Sequence, residues 1–318
     1  MLLRSLAMQS CIVFVLSCFF CCDTAGGGTV GGRVLEFPDD VSVGRLVIVP
    51  EQYNFEDKHL KGKFLAECRG KVIVPPAAKL LLVSNDLITE RYKFFDKFPV
   101  DAIDALILSR AIFSDDGMAH VGRLTGLRYL DAEGTEITDK GVAKLAGLVN
   151  LRFLNLSRTL MHGETLCKLG GLHKLVYLNL GCNELSKKAF VDLGKIDMPS
   201  LLQLDLSRSQ IVDDDIPAAV KSKTIITLVL TDNRGITDRC LPMLKPITGL
   251  RGINARSTSI TVKGLSGLVG QHVCKVALAA DKKNTFEEMT IRRILPGLTV
   301  GFDKRSSSMP KNIFEPLH

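Results

Sequence analysis

The chain has 318 residues, of which 46% are hydrophobic and 24% charged, a balance that argues against long disordered regions. Its net charge of +7 comes from 41 basic residues mixed with 34 acidic ones. Because the cations form no block, we expect no nucleic-acid partner.

An apolar segment, MLLRSLAMQSCIVFVLSCFFCC, opens the chain with one early cation, Arg4. Its apolar run is short for a membrane span and is followed by a polar, glycine-rich stretch. We predict an export signal over residues 1–25, so the protein would be secreted, periplasmic or membrane-anchored. Val15 to Cys18 resembles a bacterial lipobox, which makes Cys18 the lipidation candidate. An ordinary cleaved signal and an uncleaved anchor are the alternatives, and membrane contact is expected only through this segment or a lipid.

Residues 26–32 form a glycine-rich link. Gly26, Gly28 and Gly31 match the dinucleotide-binding pattern G-x-G-x-x-G, but this pattern binds a cofactor only between a strand and a helix. Here it follows the predicted signal and precedes no helical pattern. We therefore interpret the segment as a flexible tether and predict no cofactor.

Residues 33–100 carry short β-rich runs and little repeat signal. Arg69-Gly70 lies between two of the runs and predicts a tight hairpin. We assign the block as a β-rich N-terminal cap that covers the first apolar face of the array that follows. The runs are GRLVIV at 44–49, KFLAEC at 63–68, KVIV at 71–74 and KLLLVS at 79–84.

A repeat of 22 to 26 residues fills residues 101–302. Each unit opens with an apolar residue and continues apolar-variable-apolar, which is typical of a short strand with one face in the core. A further apolar residue follows ten positions after the start, and then a Ser, Thr or Asp that can begin a helix, most clearly Thr138 and Thr237. Such units bury their apolar faces only by stacking. The units start at Ile103, Leu127, Leu151, Leu175, Leu201, Ile225, Leu250, Val273 and Leu295.

The pattern L-x-x-L-x-L-x-x-x-x-I-x-D-x-G-x-x-x-L-x-x-L resembles a leucine-rich repeat. The form T-x-I-T-D-x-G at 135–141 is similar to the ribonuclease-inhibitor-like class, as in repeat arrays of uncharacterised exported bacterial proteins. The resemblance implies an α/β solenoid, a horseshoe with parallel strands on its concave face and helices on its convex face. Residues 303–318 would form a C-terminal tail. The unit from Val273 lacks the I-T-D turn, so the motif does not place its helix.

The two-residue period of the strands predicts which side chains lie on the concave face. Three aromatic residues follow one another there, beside a ladder of Asp and Asn and a row of arginines. This mixture is typical of protein interfaces, and a carbohydrate ligand stays open. Alternatively, the ladder only bridges repeats and the rings only cover the sheet. The candidate binding residues are Tyr129, Asp131, Phe153, Asn155, Arg158, Tyr177, Asn179, Gln203, Asp205 and Arg208.

The sequence carries no catalytic motif such as G-x-S-x-G or H-E-x-x-H, and its six histidines occupy unrelated repeat positions. We assign the acidic run at 213–215 to helix capping, with calcium binding as the alternative, and predict no metal site. Five cysteines after the leader have no C-x-x-C spacing and are expected to be small buried hydrophobic residues. They are Cys68, Cys167, Cys182, Cys240 and Cys274.

We therefore predict a non-enzymatic, exported leucine-rich-repeat protein whose concave face engages a protein partner. The first alternative is an intracellular adaptor of the ubiquitin-ligase type, because similar repeats serve as substrate receptors there. The second is a structural protein of the cell envelope with no specific ligand. The sequence does not name the partner.

Overall fold

The structure is a computed structural model that describes residues 32–50 and 62–303. Strands follow one another at the spacing of the repeats, and most contain only three residues. They are β1 Arg33–Glu36, β2 Gly44–Val49, β3 Lys63–Glu67, β4 Lys71–Val74, β5 Lys79–Ser84, β6 Ala105–Ile107, β7 Tyr129–Asp131, β8 Phe153–Asn155, β9 Tyr177–Asn179, β10 Gln203–Asp205, β11 Thr227–Val229, β12 Gly252–Asn254, β13 Lys275–Ala279 and β14 Thr299–Asp303.

Short helices connect the strands of the repeats. The α-helices among the described residues are α1 Asp115–Val121, α2 Asp139–Ala143, α3 Lys187–Leu193, α4 Ile216–Ala219, α5 Cys240–Met243 and α6 Thr285–Ile294. The 3₁₀ segments are Asp86–Ile88, Tyr92–Lys97, Lys144–Gly147, Leu166–Gly171, Asp213–Asp215, Lys263–Leu268 and Ala280–Lys282. The longest helix, α6, lies in the repeat that lacks the turn motif.

One sheet of twelve strands runs through the described residues in the order β14-β13-β12-β11-β10-β9-β8-β7-β6-β5-β2-β3. Its strands from β5 to β14 are parallel, and each repeat contributes one of them. Strands β2 and β3 extend it antiparallel. Parallel strands joined by helical crossovers at a constant period make this fold an α/β leucine-rich-repeat solenoid.

The register places equivalent repeat positions side by side, so the leucines form continuous columns. Leu130 pairs with Leu154, and Leu154 pairs with Leu178. All three have no exposed surface. Full burial of each such side chain stabilises the fold by about 1.5–3 kcal/mol. The residues predicted ten positions after each start are also buried, and they are Phe113, Ile137, Met161, Leu185 and Ile211.

A buried polar row lies eight residues after each repeat start, inside the solenoid. Asn183 donates from Nδ2 to the carbonyls of Leu156 and Leu180, which belong to two successive repeats. Serine and threonine hydroxyls do the same within one repeat. This row satisfies carbonyl groups that the turn after each strand would otherwise leave unpaired. Its members are Thr135, Thr159, Asn183, Ser209, Asn233 and Thr258.

Aspartates at the helix starts lock each repeat to the next. Asp213 accepts from the Thr237 N–H at 2.8 Å through Oδ1 and from the Thr237 hydroxyl at 2.6 Å through Oδ2. Asp115 binds Thr138 in the same bidentate way, and Asp238 binds Thr261. The capping role predicted for the run at 213–215 holds for Asp215, which accepts from the Val212 N–H, whereas Asp213 bridges repeats.

The predicted strands at 44–49, 63–68, 71–74 and 79–84 are present, but the expected hairpin at Arg69-Gly70 is wrong. Strand β3 pairs with β2, whereas β4 pairs with β1 in a separate two-stranded sheet. Gly70 has φ of 60° and accepts a bond from the Phe37 N–H through its carbonyl, so the chain turns away from β3. Strand β5 joins this region to the first repeat by pairing with β6.

Candidate functional site

The concave face is defined here as the sheet face opposite the helices, carried by the residues two and four positions after each repeat start. Strands β7, β8, β9 and β10 bring eight of the ten predicted binding residues onto it. Arg158 and Arg208 lie in the turns that follow β8 and β10. All ten therefore lie within four adjacent repeats, as the two-residue period predicts.

The three aromatic rings form one stack because their strands pair in register. The ring centroids of Tyr129 and Phe153 are 4.1 Å apart at 11°, and those of Phe153 and Tyr177 are 4.3 Å apart at 3°. Both faces of Phe153 are therefore covered by its neighbours. A sugar ring cannot stack on Phe153, so the carbohydrate hypothesis loses the ring face that motivated it.

An apolar cluster continues this column toward the N-terminal strands. Val49, Leu81 and Ala105 are buried together with Tyr129, separately from the main core. On the other side of the stack, Gln203 is also buried. The edges of the half-buried rings of Phe153 and Tyr177 remain the accessible aromatic surface.

The polar ladder beside the stack satisfies the turn that follows each strand. Asn155 Oδ1 accepts from the Ser157 N–H and hydroxyl, and Asn155 Nδ2 donates to Asp131 Oδ1 at 3.0 Å. Asn179 Oδ1 accepts from the Gly181 N–H at 2.9 Å. The ladder is thus largely buried, because side chains on neighbouring strands about 4.8 Å apart cover one another. Asn155 therefore bridges two repeats, whereas Asn179 stabilises the turn of its own repeat.

Two positions of this ladder carry a charge. Asp205 is 5% exposed, and its Oδ1 accepts from the Ser207 N–H and hydroxyl. Asp131 is half-buried and accepts from the Glu133 N–H and Asn155 Nδ2. Burial raises the pKa of both carboxyls, and these hydrogen bonds only partly offset it. No cation among the described residues forms an ion pair with either one.

The Tyr177 hydroxyl lies close to these carboxylates. Burial, followed by Asp205 and Asp131, raises the pKa of Tyr177 well above its usual value. A hydrogen bond with Asn179 opposes the shift. Tyr177 is therefore a neutral phenol that can donate a hydrogen bond.

A row of left-handed residues borders the ladder, and no motif of the sequence predicts it. The residue seven positions after the start has positive φ in seven successive repeats, although glycine stands there only once. Side chains other than glycine take this conformation at a cost of about 1 kcal/mol or more. The glycine and the aspartate in this column were the available signal. The row is Arg110 (65°), Gly134 (69°), Arg158 (57°), Cys182 (56°), Arg208 (50°), Asp232 (58°) and Ser257 (53°).

Two arginines of this row pair with acids of adjacent repeats. Arg208 Nε lies 2.8 Å from Asp232 Oδ2, and Arg158 Nε lies 3.6 Å from Glu133 Oε1. Burial and then Asp131 raise the pKa of Glu133, and Arg158 partly counters them. Both guanidinium side chains remain more than two-fifths exposed, so they can also contact a partner.

The cysteines are less uniform than expected. Cys68 and Cys240 are buried, and burial raises the pKa of the Cys240 thiol to about 12, which makes it inert at neutral pH. Cys167 is exposed, whereas Cys182 and Cys274 are half-buried, so the expectation of burial is wrong for these three. Exposure follows from their positions outside the leucine columns.

Within the described ranges, no three His, Cys, Asp or Glu side chains come together as a possible metal site. No helix in the same part of the chain is long and apolar enough to cross a membrane. The predicted signal at 1–25 with Cys18 lies outside the described residues, as do most of the glycine-rich link and the tail beyond residue 303.

Known proteins were compared with the chain by sequence and by structure. No protein-family model matches it, and no curated protein does. Similar solved structures include an internalin (InlF) from Listeria monocytogenes, with 17% identity, a TM-score of 0.48 and coverage of 68% of this chain. Another is internalin C2 from the same species, with 22% identity, a TM-score of 0.33 and coverage of 56%. The chain spans 62% of the length of each internalin.

Proposed function

We propose that this chain is a non-enzymatic binding module that engages a protein partner through the concave face of β7 to β10. The observation that carries the proposal is the arginine row. Arg158 and Arg208 keep left-handed backbones that glycine would adopt at lower cost, and both hold exposed guanidinium groups in the turns that follow two strands of the concave face. Arginine and aromatic residues are enriched at the centre of protein interfaces.

A protein is favoured over a carbohydrate because the rings present their edges. Ring edges, a phenol hydroxyl and two fork-shaped guanidinium groups suit the carboxylates and backbone carbonyls of a polypeptide. The ribonuclease-inhibitor-like class of repeat and export through residues 1–25 remain predictions from the sequence. The structural-protein alternative predicts that the concave face contacts no specific partner.

The test uses the full-length chain with the photoreactive amino acid p-benzoylphenylalanine at position 158 or 208. Both side chains are exposed, so the probe does not displace the core. The control carries it at position 191, because Val191 is 42% exposed on helix α3. After illumination in the native cells, adducts are identified by mass spectrometry.

We expect one protein to be crosslinked from positions 158 and 208 and not from position 191. Equal adducts from all three positions, or none from 158 and 208, would contradict the proposal. An adduct with a ubiquitin-ligase component would instead support the intracellular adaptor.

A further inference from the structure

Strand β14 is the outermost strand of the twelve-stranded sheet in the described part of the chain. Its residues Val300 and Phe302 pair with Val276 and Leu278 of β13 and pack against the main core. Val276 and Leu278 are fully buried, whereas Val300 and Phe302 are only half-buried because no further described strand lies on them. A stacked array needs a terminal cap with a polar outer face to cover such an end. This end of the solenoid therefore presents apolar surface that requires a cover.

Helix α6 adds exposed apolar side chains in the repeat just before β14. Phe286 is 78% exposed and Met289 is 56% exposed. Phe286 stands ten residues after Val276, the residue that pairs with the strand centre of the preceding repeat. Seven earlier repeats carry a charged residue at this interval from the strand centre, so an apolar ring here departs from a solvated position. The charged residues are Asp116, Lys140, Glu164, Lys188, Asp214, Asp238 and Lys263.

Side chains at this position approach one another in successive repeats. Lys188 Nζ lies 3.8 Å from Glu164 Oε2, and both residues stand ten positions after the centre of their strands. The same period places the neighbour of Phe286 ten residues after Val300. That residue is Pro310, which Met309 precedes. The segment that follows β14 thus carries apolar residues where the period sets them beside Phe286.

The same segment also matches the core position of the repeats. In earlier repeats a large apolar residue of the helix is buried 12 or 13 residues after the strand centre, as Leu241 is after Leu228. Ile313 follows Val300 by 13 residues. Residues 304–308, which come before the apolar positions, are two cations and three serines. The segment therefore combines apolar residues at the spacing of a repeat with the polar residues that a cap needs on its outer face.

We propose that residues 304–318 cover the end of the solenoid, with Met309 and Pro310 against Phe286 and with Ile313 over the apolar side chains of β14. The segment follows β14 directly, so it reaches this end without a linker. With the cover in place, a second copy of the chain cannot stack onto the end of the array. The covered surface is separate from the concave face of β7 to β10, so the proposed function and this cover are tested independently.

The test uses the purified full-length chain with p-benzoylphenylalanine at position 286. This probe enlarges a phenylalanine that is already exposed, so it does not displace the core. The control carries the probe at position 140, because Lys140 is exposed at the same repeat position six repeats away. After illumination, monomers and crosslinked dimers are separated on a denaturing gel, and the crosslinked peptides are identified by mass spectrometry.

We expect position 286 to crosslink a peptide from residues 304–318 within the monomer, and position 140 not to do so. Met309→Asp together with Ile313→Asp should reduce this adduct at least tenfold and lower the urea midpoint, because unpaired charges do not enter an apolar contact. Ser306→Asp together with Ser308→Asp adds the same charge at polar positions of the segment. This control should leave both the adduct and the urea midpoint unchanged.

The cover is refuted if position 286 gives no adduct with residues 304–318. It is also refuted if the adducts from position 286 are found only in crosslinked dimers, because a second copy would then occupy this end. An unchanged adduct in the Met309→Asp, Ile313→Asp variant would reject the assigned contacts. An equal loss in the Ser306→Asp, Ser308→Asp control would show that added charge, and not the apolar positions, causes the effect.

Discussion

Buried aspartates occupy two regions of this solenoid and have opposite consequences. At the helix starts, each carboxylate oxygen of Asp213 accepts a hydrogen bond from Thr237 of the next repeat. On the concave face, Asp205 accepts both of its hydrogen bonds through one oxygen and forms no ion pair with a cation among the described residues. The first carboxylate joins repeats, while the second holds a charge that an amide could replace. Asp213 therefore stabilises the fold, whereas the charge of Asp205 does not.

The largest effect is expected at the helix start. Asp213→Asn should lower the free energy of unfolding by about 2 kcal/mol, because an amide has one oxygen acceptor and Thr237 needs two. Urea denaturation of purified chains measures this change. Asp214→Asn in the same turn is the control, since its exposed pair with Arg239 should contribute little. Equal stability of Asp213→Asn and the parent would mean that this lock does not hold the repeats together.

The next effect has the opposite sign and depends on pH. Burial raises the pKa of Asp205, so the stability contributed by its protonated form is complete below the ordinary carboxylate pKa of about 4 and is lost as the pH rises through the raised native value. Asp205→Asn should therefore be more stable than the parent at pH 7, on the order of 1 kcal/mol, with the gain vanishing in acid.

The difference in stability between the parent and Asp205→Asn reports on the Asp205 carboxyl. Tyr177, whose pKa Asp205 influences, and the other titratable groups are the same in both chains, so their contributions largely cancel. Urea midpoints across the pH range give the comparison. If the extra stability of Asp205→Asn instead increased as the pH falls, the carboxylate of Asp205 would be stabilised in the folded chain and would not be an unpaired buried charge.

The smallest effect concerns the left-handed row between the two regions. Gly134→Ala should reduce stability by about 1 kcal/mol, because φ of 69° disfavours a β-carbon while the surrounding space admits one. Arg110→Ala is the control, since Arg110 has φ of 65° and already carries a β-carbon. A larger loss in Arg110→Ala would show that contacts of the arginine, and not the backbone, dominate at this position.

The repeat architecture could be predicted because its signal is periodic. Leu130, Leu154 and Leu178 recur at a constant interval, and each is buried where the interval places it. The hairpin at Arg69-Gly70 was mispredicted because a turn signal does not specify which strands pair across it. Helix α6 shows the reverse case, since it forms without the turn motif and is capped by Asn284, whose side chain accepts from two N–H groups.

The candidate site was predictable only in part. The period of two placed Tyr129, Phe153 and Tyr177 on one face, but it could not show that stacking would cover the ring faces. The left-handed row escaped notice because arginine is not a signal for positive φ. The close contact of Gly181 with the Ser207 carbonyl and the Asp205 carboxyl joins two repeats, so it emerges only when the register is known.

The most direct measurement is urea denaturation of Asp205→Asn and Asp213→Asn beside the parent chain at neutral pH. The substitution is the same, and both side chains are buried in the parent. The account predicts a higher free energy of unfolding for Asp205→Asn and a lower one for Asp213→Asn. A loss of stability in both variants would contradict this expectation, because the concave carboxylate would then hold the repeats together as Asp213 does.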